Sequence, residues 1–311
     1  MKLSVITPVY NEKDRVKDYL ERMRKQTVQP EIVIVDGGST DGTVEVIKEY
    51  QKKMPNLKLY FEKGKNRSPA NARNIGKRKA KGKFIIFMDV DGYINKEATA
   101  RIEKQAKKHS DAVGLLFKSK PYSMKKFNSK LQKLFYCRDV LRSSRINKMR
   151  RKKKDKYANW FSVYNKNYYP DFDPVLGFGE DRINSNKIRG VFKKNDDKIY
   201  YSNDVIQYAQ VGCSTFSEIS RRFKWYGRTI PLYLQKVDDK KVKYYYYLSV
   251  LGFPFIFLYI IPVIRGLYFG FALRKDCQWA IFVLPIIEII AFYSLMVGFY
   301  QRLLGNKISG R

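Results

Sequence analysis

The sequence is short of the residues that carry most imidazole, metal-thiolate and redox chemistry. It has one histidine, His109, set in the polar run Lys107-Lys108-His109-Ser110. Acid–base work therefore falls to carboxylates. Its three cysteines, Cys137, Cys213 and Cys277, are far apart. That spacing makes neither a zinc site nor a disulfide framework. Acidic residues are scarce too: 29 Asp and Glu stand against 62 Lys and Arg, a formal net charge of +33. Such an excess calls for an anionic partner, whether phosphorylated substrate, anionic membrane surface or nucleic acid. Zinc spacing, a heptad zipper and an aromatic RNA-binding signature are all missing, which counts against nucleic acid. Leu3 to Val9 is apolar but short, and Glu12, Lys13, Asp14 and Arg15 follow at once. This is no secretory leader, so the soluble part is expected to stay in the cytoplasm.

What is present falls into three stretches. Over residues 1–118, apolar strand-like runs alternate with helical ones: Leu3 to Thr7, Glu31 to Val35, Leu57 to Glu62, Phe84 to Met88 and Ala112 to Phe117 are the strands. Glu12 to Gln26 reads as an amphipathic helix because Val16, Tyr19, Leu20 and Met23 share one face. Thr43 to Tyr50, Ala70 to Ala80 and Lys96 to Lys108 are the other helices. Continuous apolar strands separated by helices predict a mostly parallel sheet covered on both faces, with ligands beyond the carboxyl ends of the strands. Residues 119–243 are less regular and include the basic run Ser143 to Lys156. Residues 244–311 hold two long apolar segments: Leu248 to Ile264 has no charge, and Ala280 to Tyr300 has only Glu288. Each is about long enough for a hydrocarbon core of ~30 Å at 1.5 Å per residue. Aromatics at their ends and Arg265, Arg274 and Lys275 between them fit a membrane hairpin. Its two segments either cross the bilayer or enter and leave by one leaflet, and the competing arrangement is a pair of buried core helices. Glu288 and Arg265 are expected to pair or to snorkel. A basic run beside such segments suits anionic lipid.

Three clusters carry the chemistry. Asp36 leaves its strand into Gly37-Gly38-Ser39-Thr40-Asp41-Gly42-Thr43, where a carboxylate can accept from a base or ribose and glycine permits close approach. Asp41 is expected to be a turn or helix N-cap residue. Asp89 and Asp91 follow a buried strand, and alternation turns both to one side with Val90 opposite. Two converging carboxylates suit Mg²⁺ or Mn²⁺ shared with substrate phosphates. Arg67, Arg73 and the start of the helix after Ser68-Pro69 suit phosphate.

In order, Ile6-Thr7-Pro8-Val9-Tyr10-Asn11-Glu12, Val35-Asp36-Gly37-Gly38-Ser39-Thr40-Asp41-Gly42-Thr43, Ala72-Arg73-Asn74-Ile75-Gly76 and Phe87-Met88-Asp89-Val90-Asp91 resemble the family 2 glycosyltransferases over nearly all of the first 120 residues. The resemblance implies an α/β chain of the GT-A fold, Rossmann-like, joined here to a C-terminal transmembrane helical hairpin. It further implies inversion at the anomeric carbon, a UDP- or GDP-linked sugar donor, and a divalent metal. Carried over by position, Pro8, Tyr10 and Glu12 lie near the base, Asp36 contacts the nucleoside and Arg73 supports the donor. Asp89 contacts ribose or sugar, and Asp91, with Asp89, holds the metal. Gly37 departs from the pattern, since many members have a second aspartate there. Gly179-Glu180-Asp181 resembles the family's later acidic pair, which implies Asp181 as catalytic base, with Glu180 as the alternative. Both also suit a helix N-terminus. Arg221, Lys224 and Trp225 resemble the Arg-X-X-Arg-Trp cluster of membrane-bound polysaccharide synthases and imply a clamp for diphosphate or acceptor. An amphipathic helix at the membrane interface accounts for them equally.

The expected organisation is a nucleotide-sugar-binding half over 1–118, an acceptor-side half with the base and the basic segment over 119–243, and two membrane helices over 244–311. The expected activity is transfer to a lipid-linked or membrane-proximal acceptor by a membrane-anchored enzyme. The alternatives are a polyprenyl-phosphate sugar synthase and a basic, non-catalytic nucleotide or nucleic-acid binding protein.

Overall fold

A computed structural model describes residues 3–305, except 65–66, 125–126, 128, 139, 141–159, 177–178, 211, 214, 238–239, 241–242, 244–255 and 274–278. In chain order its elements are β1 (Leu3–Val9), α1 (Lys13–Arg24), β2 (Glu31–Asp36), α2 (Thr43–Gln51), β3 (Leu57–Phe61), α3 (Pro69–Lys79), β4 (Phe84–Phe87), β5 (Gly92–Ile94) and α4 (Ala98–Lys108). Then come β6 (Gly114–Pro121), α5 (130–138), β7 (Trp160–Asn165), α6 (Glu180–Lys194), β8 (Ile199–Gln210), α7 (Phe216–Lys236), α8 (Ile256–Ala272) and α9 (Ala280–Leu303). The chain divides into two compact units. One holds Met1–Lys125, Ser143–Val175 and Asp181–Gln210, and the other holds Lys126–Arg142, Leu176–Glu180 and Val211–Arg311.

The first unit is built on one sheet in the order β3-β2-β1-β4-β7-β6-β8-β5. Strands β3, β2, β1 and β4 are parallel, as the apolar runs of β1, β2 and β4 predict. Beyond β4 the sheet is mixed rather than parallel: β7 is antiparallel to both β4 and β6, β8 is parallel to β6, and β5 is antiparallel to β8. Alternation along each strand divides the core in two. Leu3, Val5, Ile32 and Ile34 point to one face, where Val16, Tyr19, Leu20 and Met23 of α1 join Ile47 of α2 and Ile102 of α4. Ile6, Val33 and Val35 point to the other, against Ala70 and Ala72 of α3 and Ile188 and Phe192 of α6.

Helix α3 matters most for the site. Ser68 caps it by accepting from Asn71 N at 3.1 Å, Pro69 opens its first turn, and Lys77, Arg78 and Lys79 close its last turn in favour of the helix dipole. It lies close on β1: a Cβ at Gly76 would stand 2.3 Å from Ile6 Cγ2.

In the second unit Leu134, Phe135, Cys213, Ile219, Leu284 and Ile287 share a core. Among the described residues α9 is the one helix long and apolar enough to cross a membrane. The first expected span, Leu248 to Ile264, lies partly outside the described residues, and the basic run Ser143 to Lys156 and the loop bearing Arg274 and Lys275 lie wholly outside them.

Overpacking the contact of α3 with β1 should cost about 1–3 kcal/mol. Gly76→Val is expected to lower the urea midpoint accordingly and to weaken whatever Arg73, one turn earlier, supports. An unchanged midpoint would mean that α3 does not sit this tightly.

Candidate active site

The carboxyl ends of β1 and β2 are zipped together by their loops. Gly37 N donates to Val9 O at 2.9 Å, Asn11 N to Ser39 Oγ at 2.8 Å, Glu12 N to Thr43 Oγ1 at 2.9 Å and Thr40 N to Asn11 Oδ1 at 2.9 Å. Pro8, Tyr10, Glu12 and Asp36 are thus brought to one edge. Asp36 is buried, and it accepts from Gly38 N at 2.7 Å, from Ser39 N at 2.9 Å and from the Ser39 hydroxyl. Its carboxylate shapes the glycine turn, in which Gly38 has φ +91° and a Cβ there would collide with Arg67. Asp41 is a turn residue, accepting from Thr43 N at 3.0 Å and from Lys13 N at 3.1 Å, while Gly42 holds the N-cap position.

The second grouping is centred on Arg73, which is 7 % exposed. Its Nη2 donates to Asp89 Oδ1 at 2.9 Å, and its Nη1 stands 3.7 Å from Asp181 Oδ1. The guanidinium is also 5.5 Å from the ring centroid of Phe172. Asn74, next along α3, holds the backbone of Phe172 from both sides: Nδ2 donates to its carbonyl and Oδ1 accepts from its N–H, each at 2.8 Å.

Asp89 and Asp91 stand in the turn after β4, with Val90 buried between them. Gln210, at the end of β8, donates from Nε2 to Asp89 Oδ2 at 3.2 Å and to Asp91 Oδ1 at 3.1 Å. The same turn is held from behind by Arg22 of α1, whose Nη2 donates to Val90 O at 3.0 Å and Gly92 O at 3.1 Å. Arg22 lies over the Tyr93 ring at 3.7 Å and pairs with Asp18, which also accepts from Tyr93 Oη at 2.9 Å. Burial, reinforced by Asp18, pushes the Tyr93 phenol up to about 12. Sequence reasoning missed Gln210 and Arg22. The Ile199–Gln210 alternation marks a strand, but nothing local marks its last residue as the partner of two acids.

The donor set fits Mg²⁺ or Mn²⁺. Asp89 and Asp91 offer only oxygen, Asp91 is 7 % exposed, and one amide nitrogen touches both carboxylates, so the two acids converge. Among the described residues no group of three or more His, Cys, Asp or Glu forms a cation cage. A cation here would draw its remaining ligands from water and phosphate oxygens, the usual habit of Mg²⁺.

Asp181 begins the body of α6, and Glu180 precedes it. Glu180 is 6 % exposed, whereas the Asp181 side chain is 78 % exposed. Desolvation raises the Asp181 carboxyl above its ordinary value; Arg73 pulls it back down and the negative charge of Asp89 adds to the rise. Its large exposed area and its desolvation fit a carboxylate that reaches solvent on one side while protein crowds the other. Such a group is better suited to take a proton than an ordinary surface aspartate. Tyr208 is half-buried near the same acids, and its phenol is pushed up by desolvation and then by Asp89, Asp91 and Asp181.

Arg221, Lys224 and Trp225 belong to α7 in the other compact unit. There the Trp225 carbonyl accepts from Thr229 Oγ1 at 3.2 Å, its ring packs against Tyr226, and Arg221 faces solvent.

The family model for glycosyl transferase family 2 matches residues 4–170, more than half of the chain. The chain belongs to this family. Its relatives include the poly(ribitol-phosphate) beta-N-acetylglucosaminyltransferase TarS of Staphylococcus aureus, 38 % identical over 127 residues, which are 39 % of this chain and 21 % of TarS. The poly(ribitol-phosphate) beta-glucosyltransferase of Bacillus spizizenii is 33 % identical over 118 residues, 37 % of this chain and 19 % of that protein. This glycosyltransferase thus spans about a fifth of the length of those relatives. A crystal structure of S. aureus TarS 1-349 in complex with UDP-GlcNAc covers 98 % of this chain and 92 % of that one, with 19 % identity and a TM-score of 0.50, which shows a shared fold. The mixed, helix-covered sheet fits the GT-A fold expected of the family.

Were Asp181 to take the acceptor's proton, its raised carboxyl would set the acid limb of the pH–rate profile. Removing the Arg73 charge takes away the influence that lowers Asp181, so Arg73→Gln should move the acid limb of kcat/KM to higher pH and cut kcat about 10- to 100-fold. Because the folded-state value of Asp181 lies above that of the unfolded chain, its ionisation works against the fold as the pH rises past the unfolded value, and in full above the raised one. Asp181→Asn should therefore keep at least the wild-type Tm at pH 7, which differential scanning calorimetry would read. A Tm lowered by several degrees would contradict this.

Proposed function

We propose that the chain is an inverting glycosyltransferase that moves a sugar from a UDP- or GDP-linked donor to a hydroxyl of a lipid-linked or membrane-proximal acceptor. The observation that carries the reading is the single ion-paired group of Arg73, Asp89 and Asp181, joined to Asp91 through Gln210. A non-catalytic nucleotide-binding protein has no need for a raised carboxylate beside two further acids.

In this reading Asp181 takes the proton of the acceptor hydroxyl. The acceptor oxygen then attacks the anomeric carbon from the face opposite the nucleotide, and the bond from that carbon to the diphosphate oxygen breaks, inverting the centre. Asp91 and Asp89 would hold Mg²⁺ or Mn²⁺, which when bound supplies positive charge to the leaving diphosphate. Arg73 orients Asp89 and keeps its charge from opposing ionisation of Asp181. The zipped loops carrying Pro8, Tyr10, Glu12 and Asp36 form the nucleoside end, and Arg221, Lys224 and Trp225 are assigned to diphosphate or acceptor.

The acceptor is proposed to be anionic. A net charge of +33 favours a phosphate-bearing one, and the two relatives named above are poly(ribitol-phosphate) glycosyltransferases by name. A polyol-phosphate polymer is thus a second reading beside a lipid phosphate. The catalytic unit is proposed to work in the cytoplasm at the membrane.

A panel of UDP- and GDP-sugars, assayed with and without Mg²⁺ or Mn²⁺, tests the reading. Turnover is expected with one nucleotide series, only with metal, and to fall by about 10³-fold in both Asp91→Asn and Asp181→Asn. Wild-type rates in both variants would refute the assigned mechanism.

A further inference from the structure

Helix α9 passes the length test for a membrane span, but its packing argues for a different placement. At ~1.5 Å per residue its 24 residues reach about 36 Å. Were it to cross, the bilayer mid-plane would fall near residues 291–292, between Glu288 and Ser294.

Both of those residues are tied to helices that carry exposed charge. Glu288 is buried and paired twice, to Arg138 Nη2 of α5 at 2.8 Å and to Arg265 Nη2 of α8 at 3.0 Å. On α5, Lys130 and Lys133 are exposed within about two turns of Arg138. Ser294 Oγ donates to Ser220 Oγ of α7 at 2.9 Å, and the neighbouring Arg221 is exposed. Helix α7 then follows α9 in parallel. A Cβ on Gly298 would meet Lys224 O at 1.9 Å, a Cβ on Gly227 would meet Leu295 O at 1.9 Å, and Arg228 Nη2 donates to Gln301 Oε1 at 2.8 Å. Backbones this close cannot admit lipid between them. A crossing α9 would therefore hold Arg221 near the mid-plane, where a charge costs ~3 kcal/mol or more.

The opposite side of the same hairpin is apolar and open. Helix α8 runs antiparallel to α9 through glycine contacts, Gly266 on Pro285 and Gly270 on Ile281. The pair exposes Ile264, Tyr268 and Phe271 from α8 and Phe282, Ile286 and Tyr293 from α9, with Phe282 75 % exposed. Arg265 stands half-exposed on α8, long enough to lift its head to a lipid phosphate.

We propose that α8 and α9 form a docking face for an anionic lipid bilayer, lying in the plane of its surface, with neither helix crossing. Charge complementarity selects the lipid, since a chain of net charge +33 is drawn to an anionic surface and the apolar stripe enters it. The proposal deepens the membrane association proposed above and rests on it for the acceptor's location. Its test reads lipid binding and sidedness, so its failure leaves donor turnover untouched.

The full chain should co-sediment with phosphatidylcholine vesicles containing about one-third phosphatidylglycerol, and less with phosphatidylcholine alone. Phe282→Asp combined with Ile286→Asp, both on the open face, should weaken that binding at least ~10-fold with an unchanged circular dichroism spectrum. For sidedness, native Cys277 is kept while Cys137→Ser and Cys213→Ala remove the others, and Lys52→Cys marks the catalytic unit in a separate variant. In sealed membranes a membrane-impermeant maleimide should never label position 277 from the side opposite position 52. Labelling of 277 from that opposite side would overturn the proposal. Absence of vesicle binding by the wild-type chain would also overturn it, as would a lipid-free dimer that the paired aspartates dissociate.

Discussion

A single buried guanidinium allows three carboxylates to stand together. Asp89, Asp91 and Asp181 bring negative charge to one site, which would otherwise favour opening of the turn. Like charges in one site repel, the more so where burial lowers the effective dielectric. Arg73 offsets this by touching Asp89 at 2.9 Å and approaching Asp181 at 3.7 Å. Its own position depends on the chain beneath it. Ser68 caps α3, Gly76 lets α3 close onto β1, and Asn74 ties α3 to Phe172, which flanks the guanidinium.

The acids are also held from two further directions. Gln210 gathers both carboxylate side chains from the front, and Arg22 holds the carbonyls of Val90 and Gly92 from behind. The turn is thereby restrained at side chain and backbone before any ligand arrives. Such preorganisation lowers the cost of binding a cation and a diphosphate, because the ligands need not be assembled at the same moment.

Strands β1, β2 and β4 were legible in the sequence because both faces of the sheet are covered, which forces unbroken apolar runs. The motif at Asp89 and Asp91 was legible for the same reason, since polar residues at the end of such a run mark where the sheet opens. The antiparallel half was not. Strand β5 has three residues and pairs with β8 more than a hundred residues later, so no local pattern announces it. Gln210 escaped notice on the same ground, because its partnership with Asp91 spans 119 positions. The strand end marks Asp36 in the sequence, but not the hydrogen bonds by which its carboxylate also shapes its own turn. Hydropathy marks the C-terminal helices, but it records composition and not the neighbours of Glu288 or Gly298.

Asp89 and Asp91 are proposed as a joint seat for a divalent cation and a nucleotide diphosphate. Isothermal titration of the full chain with UDP and GDP, in Mn²⁺ and in its absence, tests it most directly. One nucleotide should bind at least ~10-fold more tightly with Mn²⁺, and Asp91→Asn should abolish that gain while leaving the metal-free affinity in place. Equal metal-dependent tightening in wild type and Asp91→Asn would contradict the account.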